Sequence, residues 1–190
     1  MKKELEDLHT DLNNVTVDVR ESFAGLTPAQ LNWKPGPDNW SVGQCFEHLN
    51  AAGSGMVRAI EAKTDGTSAT TFYERLPLLP KIFGRVISNA VSPEGQRKIK
   101  APKIFEPTQS DVDDGVVASF LEFQPTIAAA MERCSDPGVI MASPAAPFIT
   151  YSLLDAFTIV VRHEQRHVLQ AKRVMEHTDF RHNMEAYEDV

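Results

Sequence analysis

The chain has 190 residues, 42% hydrophobic and 24% charged, the balance of a soluble protein with a core of its own. A net charge of −7 leaves no basic footprint for nucleic acid, and the short run Arg97–Lys100 reads as a solvated loop. No apolar run approaches the ~18 residues of a membrane span, no signal-peptide pattern follows the opening lysines, and Cys45 and Cys134 are too few for a disulfide framework, so the expectation is a single cytoplasmic domain over 1–190 with no nucleic-acid or membrane partner.

Leu5, Leu8, Leu12, Val15, Val19 and Phe23 recur every three or four positions and predict a first helix, ended by Gly25. Thr27, Pro28 and Gln30 form a capping-box pattern for a short helical turn. Pro35, Gly36 and Pro37 then enforce a loop. Ser41 and Gln44 repeat the capping box and open a second long helix, with Cys45, Phe46, Leu49, Gly53, Met56 and Ile60 as its apolar stripe.

Residues from about 64 to 110 break the periodicity: a polar turn-rich run, a helix-compatible LLPKIFGRVISNAV, then a proline-punctuated stretch. So long a connection is expected to cross the molecule and let the next helix run parallel to the second. Ser110 and Asp113 are expected to open that third helix, with Val116, Phe120, Phe123, Ile127 and Met131 facing inward and a kink or break from Pro125 near Leu121. A fourth helix spans about Ser152–His177 and buries Leu153, Phe157, Val161, Val168 and Met175. With MASPAAPFIT read as loop and no strand expected, the fold class is all-α: a four-helix bundle with a long crossover between helices 2 and 3. Val117 and Leu121 hint at a second apolar surface on the third helix, through which a homodimer can form.

On the fourth helix, His163 and His167 are four residues apart and within roughly 40° of each other, bordering the apolar face, while Arg162, Arg166 and Arg173 are expected to point to solvent. Imidazoles so spaced can share one divalent ion. They can equally be hydrogen-bonded core histidines. His48, beside the stripe of the second helix with Cys45 and Ala52 as small neighbours, is the candidate third ligand. His9 lies toward the outside of its stripe, and His177 and His182 belong to the helix end and tail.

The motifs Trp40, Ser41, Gln44, His48, Leu49 and later His163, His167, Gln170, together with the long crossover and its KAPKIFEP segment, resemble the DinB/YfiT-like family of putative metalloenzymes over nearly the whole chain. That resemblance implies one divalent metal ion held by His48, His163 and His167. Zinc or nickel come first, with iron, copper or manganese as further candidates. It also implies a small-molecule substrate, such as a low-molecular-weight thiol, in a metal-dependent transferase or hydrolase using an activated thiolate or water. The alternative is a non-catalytic metal-binding or stress-response module.

Gln44 stands where a glutamate is frequent in that family, so it is expected to orient a bound molecule or only to cap its helix. Gln170 completes the motif on the fourth helix. Glu164 is expected to orient a ligand imidazole from a neighbouring helix or to pair with an arginine across the bundle. Cys45 is a conceivable soft ligand but reads better as a small buried hydrophobe. Phe72, Tyr73 and Phe83 of the crossover are expected to line a substrate pocket.

HEQRH also matches the H-E-x-x-H metalloprotease pattern, yet the Gly and His of its extended form are missing, and Glu185 or Glu188 would have to serve as a third ligand from the tail.

Overall fold

A computed structural model describes residues 2–93, 107 and 111–180. Arg97–Lys100, the KAPKIFEP motif except its final proline, Ser110 and the tail with His182, Glu185 and Glu188 lie outside the described residues. The described elements are α1 (Lys3–Phe23), α2 (Pro28–Asn32), α3 (Val42–Thr64), a 3-10 turn at Tyr73–Arg75, α4 (Leu79–Ala90), α5 (Val116–Arg133), β1 (Ile140–Ser143), β2 (Ala146–Ser152) and α6 (Leu153–Met175).

The four long helices form where the apolar stripes predict them. Leu5, Leu12, Val15, Val19 and Phe23 are buried on α1, while Leu8 is half-buried. Both expected capping boxes are made, at Thr27–Gln30 and at Ser41–Gln44, and a third at Ser152–Asp155 opens α6. Such boxes satisfy helical N–H groups that otherwise lack partners. α3 stops where Gly66 takes φ 70°, a backbone region open to glycine at little cost.

α3 and α5 lie side by side in the same direction: Asn50 donates to the Val116 carbonyl, Phe123 packs at Gly53, and Arg133 pairs with Glu61. That is the parallel course the crossover predicts. α1 and α6 run the other way, linked by Lys172 and Asp18, and α1 and α3 each pack against both α5 and α6.

The core is divided in two. One cluster joins Leu5 and Leu12 to Val57, Ile60, Ile127, Met131, Phe157 and Val161. The other joins Val15, Val19 and Phe23 to Phe46, Leu49, Phe120, Val168 and Ala171. On α5 and α6 the positions between them are polar: Gln124, His163, Glu164 and His167.

Four expectations need correction. The chain is mostly but not entirely helical, because β1 and β2 form an antiparallel hairpin with Met141 opposite Tyr151. Pro144 and Pro147 disguise it, and Pro147 is exposed in a two-stranded sheet, the kind of edge position where proline is tolerated. Helix α5 runs through Pro125 without the expected interruption, and Pro125 itself is exposed. The helix starts at Val116, with Asp113 accepting from the Gly115 N–H rather than capping from further back. Val117 is 4% exposed and Leu121 packs on the second cluster, so α5 offers no second apolar surface there.

α4 rests on α6 at Gly84, where an added Cβ would overlap the carboxylate of Asp155. That carboxylate is held by the Ser152 capping box and has little freedom to move aside. Gly84→Ala therefore destabilises by about 1–3 kcal/mol, although Gly→Ala inside a helix normally stabilises by about 1 kcal/mol. Urea denaturation of the two proteins reads the sign directly.

Candidate metal centre

Two capping boxes set the phase of the helices that carry the histidines. Ser41–Gln44 starts α3 so that His48 arrives inward on its second turn, 2% exposed. Ser152–Asp155 starts α6, and His163 and His167 follow on the face that meets α3. The three imidazoles come together: one ligating nitrogen from each lies within 4.8 Å of the other two. His48 Nε2 and His163 Nε2 are 3.0 Å apart, and the ring centroids are separated by 4.6 to 4.9 Å, all edge-on.

Two nitrogens bound at about 2.0–2.1 Å to one tetrahedral ion are about 3.4 Å apart, so small side-chain shifts fit the set to an ion. His167 Nδ1 is buried with no hydrogen-bond partner among the described residues, an orphaned polar atom in the ring that borders the group. Burial depresses the His167 pKa to about 3, with the neighbouring His48 and Arg166 adding to it and Gln170 opposing it. His163 is likewise held well below the ordinary histidine value, by burial first and then by His167, His48 and Arg166. These two rings are therefore neutral at pH 7, the state in which imidazole ligates.

Trp40 covers this group, its ring stacked on His167 at 5.6 Å and 18° and tilted over His48 at 5.0 Å. Its place in the sequence motif was visible, but the contact was not. Gln44 spends its side-chain oxygen on the Ser41 N–H, the capping role. Cys45 is fully buried with its thiol pushed up to about 12 by burial and lies outside the histidine group, in keeping with a small hydrophobe. His9 sits apart, near Asn13 and Glu132, and His177 packs against Trp33.

Glu164 corrects its expectation. Its described partner is neither an imidazole nor an arginine but Gln124 of α5, whose Nε2 donates to Oε1 at 3.2 Å. Burial raises its pKa to about 8, with the Gln124 bond working the other way. Two of the three arginines are also corrected. Arg162 donates to the Ser88 hydroxyl, and Arg166 to the carbonyls of Ala90 and Ser92, so both tie α4 to α6; Arg173 alone is exposed. Phe72 and Tyr73 are exposed and pair with each other rather than with the histidines, and Phe83 is half-buried.

A family model described as the DinB superfamily matches residues 12–171, a span that includes all three histidines. The chain is also similar to the uncharacterized protein YuaE of Bacillus subtilis (strain 168), at 22% identity over 165 residues, covering 86% of this chain and 94% of that protein. No solved structure matches the chain. No helix among the described residues is long and apolar enough to cross a membrane.

Proposed function

Since the chain belongs to the DinB superfamily, we propose that it binds one divalent metal ion through His48, His163 and His167 and acts with it on small molecules as a metal-dependent transferase or hydrolase. The observation that supports this most is the meeting of three imidazoles, one of them 115 positions from its nearest partner, in a buried layer with an unpartnered ring nitrogen. Three nitrogen donors suit zinc or nickel. When bound, such an ion supplies Lewis-acid activation of a water or a low-molecular-weight thiol.

The chain's own residues do the rest. His163 and His167 stay neutral and ready to ligate, Trp40 screens the group on one side, and partly exposed His163 is where a small molecule can approach. Gln44 spends its side-chain oxygen on its helix cap, which favours a second reading, a metal-binding module without turnover. Glu164 accepts from Gln124 through Oε1, while its buried Oε2 has no hydrogen-bond partner among the described residues.

Metal analysis of tag-free protein tests the shared premise. Wild type is expected to carry about one ion per chain by the three-ligand reading, and His48→Ala and His163→Ala/His167→Ala to carry almost none. Little metal in wild type, with no rise in melting temperature on adding zinc or nickel, would return the histidines to a structural role. Turnover of thiol and electrophile pairs by the loaded protein then separates the enzyme from the module.

A further inference from the structure

Helix α4 lies against the molecule through small residues and Ile87 and leaves other large apolar side chains outside. Its buried positions are the small Pro80, Gly84 and Ser88, while Leu78, Ile82 and Val86, one turn apart, are 69%, 56% and 58% exposed. Phe148 of β2, 54% exposed, lies on an element that packs against α4. Large apolar side chains grouped this way on a soluble protein mark a surface that something covers.

Charge narrows what that is. Lys81 and Arg85 are exposed beside Ile82 and Val86. Between Gly66 and Pro93 the only acidic residue is Glu74, which is buried and paired with Lys63. The helix thus shows an apolar strip edged by cations, on a chain whose net charge is −7. Set against its own copy, it would bring Lys81 and Arg85 onto like charges.

The complement lies next to it. α4 packs along α6 through Gly84 and Asp155, then Ser88 and Arg162. On the same stretch of α6 is an open groove of about 460 Å³, bounded by α1 and by Pro93 just beyond α4. Leu8, Leu154 and Val161 give it apolar lining, and Glu4, Asp7 and Asp11 of α1 give it an acidic wall; Arg162 of α6, which donates to Ser88, also lines it, leaving three carboxylates to one cation. Those carboxylates, Lys81 and Arg85 have no ion-pair partner among the described residues.

We infer that two copies of this chain pair about a two-fold axis, the apolar, cation-edged face of α4 in each entering the acid-walled groove between α1 and α6 of the other. An isologous contact requires a patch and its complement on one molecule, and side by side they can be satisfied by one axis. The pairing covers Ile82 and Val86 and sets Lys81 and Arg85 against Asp7 and Asp11. It does not depend on the metal.

Light scattering after size exclusion, from micromolar to hundreds of micromolar protein, tests it. Wild type is expected at twice the chain mass. Lys81→Glu/Arg85→Glu and Asp7→Lys/Asp11→Lys each weaken association by at least about tenfold, and the four changes together restore the dimer, a rescue that general damage to the fold would not give. Ile82→Asp/Val86→Asp, at exposed positions, yields a folded monomer by circular dichroism. A wild-type monomer at every concentration overturns the inference, as does a dimer indifferent to these variants. Flotation of that monomer with phosphatidylglycerol vesicles, lost in Ile82→Asp/Val86→Asp, would also overturn it and assign the face to anionic lipid.

Discussion

Lys63→Met lowers stability by about 3–5 kcal/mol, because it strands the Glu74 carboxylate in a place that water does not reach. The side chains of the pair are 9% and 3% exposed, and Glu74 also accepts from the Thr71 hydroxyl. The pair fastens the 3-10 turn at the start of the crossover to the last turn of α3. The attraction itself is not what is lost, since desolvation offsets much of it; the cost lies in leaving one charge behind. Lys63→Met/Glu74→Leu therefore recovers most of the loss. Urea denaturation of the single and double variants measures both numbers, and a single-variant loss under about 1 kcal/mol would mean that water reaches the pair after all.

Glu164→Gln stabilises the metal-free protein increasingly as pH rises. The Glu164 pKa moves from 4.5 to about 8 on folding, so the folded state keeps a proton that the unfolded chain gives up. Its contribution is complete below about 4.5 and declines as pH climbs to about 8, by an amount on the order of several kcal/mol. The amide keeps an acceptor for Gln124 and removes the titration. His163 and His167 act with the opposite sign: their folded pKa values lie below 6.5, so their contribution is present above about 6.5 and declines as pH falls. Melting temperatures after chelation, taken from pH 5 to 9, should diverge between wild type and Glu164→Gln progressively from pH 5 to about 8, with the gap holding steady above that. A constant offset across that range would place Glu164 in contact with water.

What the sequence made legible was whatever depends on local periodicity. The stripe from Leu5 to Phe23, the boxes at Thr27 and Ser41, and the inward side of His48, His163 and His167 all follow from residues within a few positions of one another. Ser152 with Asp155 carries the same kind of signal and was placed only at the approximate helix start. Contacts across the chain were not legible. Gln124 sits 40 positions from Glu164, and Ser88 sits 74 from Arg162; nothing local marks either as a partner. The hairpin was hidden by its prolines, whose penalty vanishes at an unpaired strand edge. α4 was recognised as a helix, but Ile82 and Val86 face out, while glycine, serine and proline are its buried positions and Gly84 lies close to α6.

The distance in sequence between His48 and His163 also sets a clock. The two imidazoles are 115 residues apart. At the usual 5–20 residues per second of synthesis, His48 leaves the ribosome about 6 to 23 s before His163 does. During that interval a single imidazole on α3 offers no chelate, because α6 with its pair follows much later in chain order. On the proposed three-histidine reading, no chelate exists until the α6 part of the chain has been made, so the ion would be taken up only after His163 and His167 have joined His48.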